Sequence, residues 1–274
     1  ALARQLADCG AGYFGITLGQ CSGFFLAPNS AYDKLVGRHP SRCARRDLVL
    51  ELAEALAPRG IRLLVYLPLQ GPGHDRLAAK RLGYAAGGKP AEAQPAFLRR
   101  WESVIQCWSQ TWGRKVSGWW IDGCYHRDRF RRGGPDFLSL AAALRAGNPD
   151  SLVAFNSGRT VFPYPVSISE QEDYTAGEFD GILPLGFGRV ALTFEAGGAQ
   201  GHLLGFLGSC WGQGPARFSD AFAAAYTREV NRRGVALTWD VPPLPDGRIP
   251  PAFLRQLRAI GRSAAARGNR AGRG

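Results

Sequence analysis

The feature that most constrains the fold is the alternation of short apolar runs with longer amphipathic stretches along all 274 residues. Runs typical of β-strands begin near residues 12, 61, 118, 151, 166, 202 and 235. Helical patterns lie between several of them, over residues 45–56, 94–112, 135–146, 219–231 and 250–261. Because this order places a crossover helix between successive strands, it predicts a parallel sheet with helices packed on its faces.

The same alternation favours a (β/α)8 TIM-type barrel over an open, doubly wound sheet. A barrel needs eight strands and about 250 residues. A helical stretch at Leu2–Ala7 precedes the first of the seven predicted strands, so we expect the barrel's first strand to be missing from this chain. The open sheet is disfavoured because no glycine-rich phosphate loop follows a strand. We predict one barrel domain over residues 1–262 and a disordered, basic, glycine-rich tail over residues 263–274.

The charge balance raises the question of a nucleic-acid partner. The chain carries 34 Lys and Arg residues against 22 Asp and Glu residues, a net charge of +12. Nearly all the basic residues are arginines dispersed over helices and loops, without the interleaved aromatic residues of nucleic-acid-binding modules, which favours compositional bias. No apolar run approaches the roughly 18 residues of a membrane span. We expect a soluble chain, cytoplasmic or secreted with its leader missing here, without a nucleic-acid or membrane partner.

The cysteines and histidines do not form a metal-binding pattern. The chain has six cysteines and four histidines. No two cysteines have CxxC spacing, and none clusters with a histidine, whereas zinc sites depend on such spacing. We therefore expect neither a metal nor another cofactor.

The stretch Val116–Tyr125 carries the clearest functional indication. It contains Trp119 and Trp120, and it is typical of a buried strand that ends at Asp122, where Gly123 lets the chain turn. The carboxylate could simply cap the following loop. In a barrel, however, the carboxyl ends of the strands carry the catalytic side chains, and indole rings offer flat apolar surface to a sugar.

The other strand ends supply partners for such a carboxylate. A glycosidase needs two carboxyl groups, one to attack or stabilise the anomeric carbon and one to protonate the leaving oxygen. We predict Asp122 as the nucleophile, and Glu172, ranked above Glu178, as the acid. Glu170 lies closer to the predicted strand, and for any one of these three glutamates taken singly a solvated loop residue is the favoured interpretation. The predicted substrate-binding residues are Gln20, Tyr66, Trp119, Trp120, Asn156, Trp211 and Trp239.

Several short motifs resemble the α-L-fucosidases of glycoside hydrolase family 29. They are Arg46–Val49 with Arg59–Leu63, Gly118–Gly123, Trp211–Gly212, and Gly234–Asp240 with Pro245–Pro250. Together they span most of the chain, although each is short. The resemblance implies a (β/α)8 barrel and retaining hydrolysis of an α-L-fucoside through a glycosyl-enzyme intermediate. It also implies that Asp122 is the nucleophile and that a carbohydrate is the partner.

Two departures from that family lead to an alternative function. Its second strand usually ends in a His-His-Asp-Gly-Phe motif that holds sugar hydroxyls, and the matching residues here are Gln20–Phe24, without the histidines. Its last strand usually ends in a Leu-Asn run, where this chain has Leu237–Asp240. The alternative is therefore a non-catalytic barrel that binds carbohydrate.

Overall fold

The structure, a computed structural model, divides into two compact units. It describes residues 1–84, 94–124, 137–158, 167–182 and 198–271. The four-strand unit consists of the described residues within Tyr13–Gly158 and Ser167–Asp173. The two-strand unit consists of those within Ala1–Gly12 and Tyr174–Gly274. The single barrel domain that the sequence predicts over residues 1–262 stays a prediction.

Helices and strands alternate along the described chain as the sequence predicts. The strands are β1 Tyr13–Thr17, β2 Arg62–Pro68, β3 Gly118–Asp122, β4 Leu152–Phe155, β5 His202–Phe206 and β6 Ala236–Asp240. The helices are α1 Leu2–Asp8, α2 Ser30–Val36, α3 Leu48–Leu56, α4 Arg76–Leu82, α5 Gln94–Trp112, α6 Phe137–Arg145, α7 Asp220–Arg232 and α8 Pro251–Ala271. None of these helices is long and apolar enough to cross a membrane.

All strand pairs in the two sheets are parallel, which confirms the predicted α/β class. The sheet of the four-strand unit has the order β1-β2-β3-β4, and β5 pairs with β6 in the other unit. Strand β3 lies between β2 and β4, so Asp122 is at the carboxyl end of an inner strand. The register aligns Tyr66 of β2 with Trp120 of β3. These side chains are therefore neighbours on one face of the sheet.

The core of the four-strand unit is built on aromatic residues of α5. Phe97, Trp101 and Trp108 are fully buried, which confirms the prediction that this stripe packs in the core rather than forming a ligand site. The series continues as Trp108 stacks on Trp112 with ring centroids 6.2 Å apart, and Trp112 stacks on Trp119 of β3 at 5.7 Å. Helix α5 is thereby fixed against the strand that ends at Asp122.

Capping side chains set the beginnings of several helices. Helix α3 begins at Leu48, three residues later than predicted, because the carboxylate of Asp47 accepts a hydrogen bond from the Leu50 N–H at 2.8 Å. Ser219 caps α7 as predicted. The seven-residue helices α2 and α4, capped by Asn29 and Asp75, were not predicted, because each is too short to show a helical period.

Two predictions about regular structure are wrong. The strand predicted near residues 166–172 is a loop over residues 167–172, and Val166 lies outside the described residues. Parallel pairing occurs further along, where Tyr174 bridges to Gln200, just before β5, and Glu178 bridges to Leu204 of β5. Helix α8 continues past residue 261 to Ala271, so the stretch predicted to be a disordered tail is helical as far as the structure describes it.

A buried histidine links three segments of the two-strand unit. The Nδ1 of His202 lies 2.9 Å from the carbonyl oxygen of Thr175, and its Nε2 lies 2.7 Å from the hydroxyl of Thr238. The Thr175 hydroxyl in turn accepts from the His202 N–H and donates to its carbonyl. Burial lowers the pKa of His202 to about 4. The imidazole is therefore neutral at physiological pH, donating to one segment and accepting from the other.

We expect the contribution of His202 to stability to be lost in acid. Its folded pKa is lower than the ordinary value of 6.5, so the unfolded chain binds a proton that the folded chain excludes. The contribution is complete above pH 6.5 and falls as the pH drops toward 4, by about 3 kcal/mol in total. Urea unfolding of the wild type and of His202→Asn over this range measures it as the difference between the two proteins. Parallel pH profiles would contradict this assignment.

Candidate active site

The carboxylate of Asp122 is held by groups from three neighbouring strands. Its Oδ2 accepts a hydrogen bond from the Tyr66 hydroxyl at 2.6 Å. Its Oδ1 accepts from the amide of Asn156 at 2.9 Å and from the backbone N–H of Gly123 at 2.7 Å. Tyr66 belongs to β2, and Asn156 directly follows β4, so the pairing of β3 with both neighbours brings the donors to the acid.

Tyr66 is itself fixed from two sides. Its hydroxyl oxygen accepts from the side-chain amide of Gln20 at 2.7 Å while its O–H donates to Asp122. Its ring stacks on Trp120 with centroids 5.3 Å apart and planes inclined by 19°. Burial, the charge of Asp122 and the hydrogen bond to it all raise the pKa of Tyr66. The phenol therefore keeps its proton and acts as a permanent donor to the carboxylate.

Gly123 makes the sharp turn after the acid possible. Its φ of +78° lies in the left-handed region, and a Cβ there would come within 2.2–2.6 Å of the Gln70 side chain. The Gln70 amide donates to the carbonyl of Gly123 at 3.4 Å. Gln70, in the loop after β2, is a contact of the site that the sequence interpretation missed. Its position just beyond a strand end was the available indication.

The structure brings five of the predicted site residues together in the four-strand unit. These are Gln20, Tyr66, Trp120, Asp122 and Asn156. Two of them, Trp120 and Asn156, are buried, and the other three are at least partly exposed. Asn156 is 0% exposed, so it can orient the acid but cannot contact a substrate as the sequence led us to expect. Gln20 is exposed, and Asp122 and Tyr66 are partly exposed.

Trp119 lies on the opposite face of β3. It is 1% exposed, and its ring stacks on Trp112. Successive side chains of a strand point to opposite faces, so only one of the two tryptophans can lie beside Tyr66. Trp119 therefore belongs to the aromatic core, and not to the substrate-binding residues as the sequence predicts.

Glu172 is in the same unit, and its carboxylate binds backbone N–H groups. One oxygen accepts from the Phe155 N–H at 2.9 Å, and the other accepts from the N–H groups of Ile168 and Ser169 at 2.5 and 3.0 Å. The residue is 7% exposed. Burial raises its pKa to about 7, although the three N–H donors oppose this shift. These bonds close the loop over residues 167–172 and explain why it is not a strand.

The remaining predicted residues belong to the two-strand unit. Glu178 forms a parallel bridge with Leu204 of β5. The ring of Trp211 lies edge-on to Phe206, with centroids 4.9 Å apart. The indole N–H of Trp239 donates to the Thr227 hydroxyl at 2.9 Å, and its ring packs on Phe179. Much of the Trp239 surface is therefore occupied by packing within this unit.

Similarity to known proteins is found at the level of structure. No family model matches the sequence, and no curated protein matches it. An endo-fucoidan hydrolase of glycoside hydrolase family 107, P5AFcnA, has a TM-score of 0.73 at 17% identity, over 95% of this chain and 83% of that chain. The family 29 α-L-fucosidase from Bacteroides thetaiotaomicron has a TM-score of 0.64 at 16% identity, over 95% of this chain and 58% of that one.

A further α-L-fucosidase, AlfC from Lactobacillus casei, was solved with α-L-fucose. It has a TM-score of 0.61 at 14% identity, over 97% of this chain and 79% of that chain. This chain spans about half the length of two other family 107 endo-fucoidan hydrolases, 49% of MfFcnA4 and 58% of MfFcnA9. At these identities the likeness concerns the fold. This chain has an α/β fold similar to that of glycosidases that act on fucoidan and fucosides.

A double-mutant cycle tests the contact between Tyr66 and Asp122 without any assay of activity. We expect the destabilisation by Tyr66→Phe and by Asp122→Ala to be non-additive by about 1 kcal/mol, because a hydrogen bond to a charged, partly buried acceptor is lost in either variant. Chemical unfolding of the wild type, the two single variants and the double variant measures the coupling.

The matched control pairs Tyr66→Phe with Asp150→Ala. Asp150 is an exposed acid of the same unit whose partner is Arg114. These two substitutions should be additive. A coupling for Asp122 no larger than that for Asp150 would contradict the contact.

Proposed function

We propose that this chain is a retaining glycoside hydrolase of the α-L-fucosidase type, with Asp122 as its nucleophile. The observation that carries the proposal is the fixed, partly exposed carboxylate of Asp122 at the carboxyl end of an inner parallel strand. The similarity to fucosidases and endo-fucoidan hydrolases over nearly the whole chain supports the choice of substrate. We further propose that the complete fold is the (β/α)8 barrel, which the parallel order β1-β2-β3-β4 supports.

The hydrogen bonds at Asp122 suit a carboxylate that attacks a sugar. The Tyr66 hydroxyl and the Asn156 amide fix the plane of the carboxylate, so the attacking oxygen need not be reoriented. In the first step, an Asp122 oxygen bonds to the anomeric carbon. The bond to the leaving oxygen breaks, and that oxygen takes a proton from an acid. In the second step, water replaces the carboxylate at the same carbon and the sugar is released.

The donors at Asp122 also stabilise it when it leaves. As water attacks the glycosyl-enzyme ester, negative charge returns to the carboxylate. The O–H of Tyr66 and the N–H groups of Asn156 and Gly123 already point at the two oxygens that receive it. Donors arranged in advance around a developing charge lower the barrier without reorganisation.

Glu172 fits a structural role better than the acid role that the sequence predicts for it. Its pKa of about 7 would leave about half of it protonated at neutral pH, and an acid must carry a proton. Both of its oxygens, however, face backbone N–H groups of its own loop and of β4. Glu178, the second predicted acid, stays a prediction.

Sugar binding without hydrolysis is the second candidate function. It is favoured by the contacts of Glu172, which leave that carboxyl group no oxygen without a backbone donor. In that case Asp122 and the exposed Gln20 would bind sugar hydroxyls. Saturable quenching of tryptophan fluorescence by a fucoside, without release of product, would distinguish this function from hydrolysis.

We expect Asp122→Asn to lower kcat/KM by roughly a thousandfold or more, because the amide cannot form the glycosyl ester. The substrate is 4-nitrophenyl α-L-fucopyranoside, the compound bound to a mutant of AlfC. Asp150→Asn is the control and should retain wild-type activity. Turnover by Asp122→Asn at the wild-type rate would exclude this residue as the nucleophile.

External azide tests the retaining mechanism itself. In Asp122→Gly the missing carboxylate leaves room for a small anion on the face from which Asp122 would attack. We expect azide to restore release of nitrophenol and to give the fucosyl azide of inverted configuration, since a single displacement replaces the double one. Rescue that yields only free fucose would contradict the assignment of Asp122.

We expect Glu172→Gln to reduce stability more than chemistry. The glutamine side chain has one acceptor oxygen, whereas three N–H groups point at the two oxygens of Glu172. Leaving a buried N–H group without an acceptor costs about 1–3 kcal/mol. The pKa of Glu172 is higher in the folded chain than the ordinary 4.5, so the advantage of the wild type should shrink as the pH rises from 4.5 to about 7. Unfolding at several pH values measures this change. Unaltered stability with loss of the basic limb of the kcat profile would instead indicate an acid role.

A further inference from the structure

An exposed aromatic ring lies on the loop that reaches the candidate active site. Phe24 is 60% exposed, although a solvated phenyl ring gives up the free energy that burial would provide. It follows Gln20 by four residues, and Gln20 donates to Tyr66 beside Asp122. The loop begins just after β1, whose last residue, Thr17, aligns with Tyr66 in the sheet. Phe24 is thus an apolar group on the strand-end side of the sheet where Asp122 lies.

The exposure of Phe24 does not come from a loose loop. The next residue, Phe25, is 3% exposed and packs on Tyr32 and Trp108, with centroids 5.2 and 5.1 Å apart. Cys21 accepts a hydrogen bond from the His74 N–H at 2.8 Å. The backbone is therefore fixed on both sides of Phe24 while its ring remains in solvent.

An ion pair with one buried partner holds the ring in place. The guanidinium of Arg42 lies 4.7 Å from the centroid of the Phe24 ring, and it donates to the Ser22 carbonyl at 3.0 Å. Arg42 is paired at 2.8 Å with Asp75, whose side chain is 2% exposed and also pairs with Arg38. Since Asp75 caps α4, the ring orientation is tied to a helix of the four-strand unit. Such a ring costs little further entropy when a ligand covers it.

Phe24 and Arg42 line a shallow cavity of about 420 Å³. Its other lining residues include Thr17, Ser41 and Cys43. This volume is at the lower end of the range for small-molecule sites. Its lining residues provide an apolar ring, a guanidinium and two hydroxyl groups, which suit the C–H face and the hydroxyls of a pyranose.

We propose that Phe24 and Arg42 form a binding site for a sugar ring of the substrate chain other than the ring that Asp122 attacks. The site rests on the proposed function and extends it from simple fucosides to oligosaccharides. The apolar face of the sugar packs on Phe24, and Arg42, held by Asp75, keeps the phenyl ring in position.

Binding measurements test this site independently of hydrolysis. Titration calorimetry with the Asp122→Asn protein compares methyl α-L-fucopyranoside with an α-linked fucose tetrasaccharide. We expect the tetrasaccharide to bind at least tenfold more tightly, and Phe24→Ala to remove that gain while leaving the affinity for the monosaccharide unchanged. Phe24→Trp should preserve the gain. Phe222→Ala, which truncates another exposed phenylalanine, is the matched control and should have no effect.

The outcomes separate this site from the catalytic proposal. A Phe24-dependent gain supports the site even if the wild-type protein hydrolyses no fucoside. Equal affinities for the two ligands, or a gain that survives Phe24→Ala, would overturn the site even if Asp122-dependent hydrolysis is observed. A melting temperature of Phe24→Ala equal to that of the wild type verifies that the substitution has changed only the surface.

Discussion

The hydrogen bond from Tyr66 to Asp122 depends on the pairing of β2 with β3, and the rest of the candidate site depends on this pairing as well. The register places Tyr66 beside Trp120 and brings Pro68 level with Asp122. A slip of one residue would turn Trp120 away and present Trp119 in its place. The buried Trp112–Trp119 stack opposes such a slip, because it ties the other face of β3 to α5. The geometry at the acid is thus set by packing on the far side of the sheet.

Two carboxylates in the four-strand unit, those of Asp122 and Glu172, accept several hydrogen bonds each, yet they differ in what they can do. Asp122 and Glu172 are both surrounded by donors, but Asp122 is partly exposed whereas Glu172 is 7% exposed. Glu172 joins its own loop to β4 and so contributes to the arrangement next to Asn156. Asn156 in turn donates to Asp122. Glu172, which the sequence predicts as the acid, therefore contributes to the position of Asp122 indirectly, by fixing the end of a neighbouring strand.

The fold was more predictable from the sequence than the roles of individual side chains. The helical period of α5 gave its bounds, because nineteen residues with a regular aromatic stripe leave little alternative. Strand ends pointed to Asp122, Tyr66 and Gln20, since parallel strands bring their carboxyl ends together. The sequence pattern could not decide which of Trp119 and Trp120 faces Tyr66, because both faces of β3 are buried and the strand shows no alternation of polar and apolar residues. Nor could it show that the Glu172 carboxylate folds back on its own loop, since that bond depends on the backbone path after β4.

Gln20 has a different contact from the one expected of the histidines that stand at this place in the fucosidases which the sequence resembles. In the fucosidases that the sequence resembles, that motif holds sugar hydroxyls. Here the Gln20 amide donates to Tyr66, so part of its capacity is used to fix the phenol that supports Asp122. Fewer polar groups then remain on this loop to recognise a single sugar. An exposed, braced ring at Phe24 on the same loop offers recognition through apolar contact with a second sugar instead. In the proposed second sugar site, this loop would therefore contribute to the binding of a longer sugar chain through Phe24.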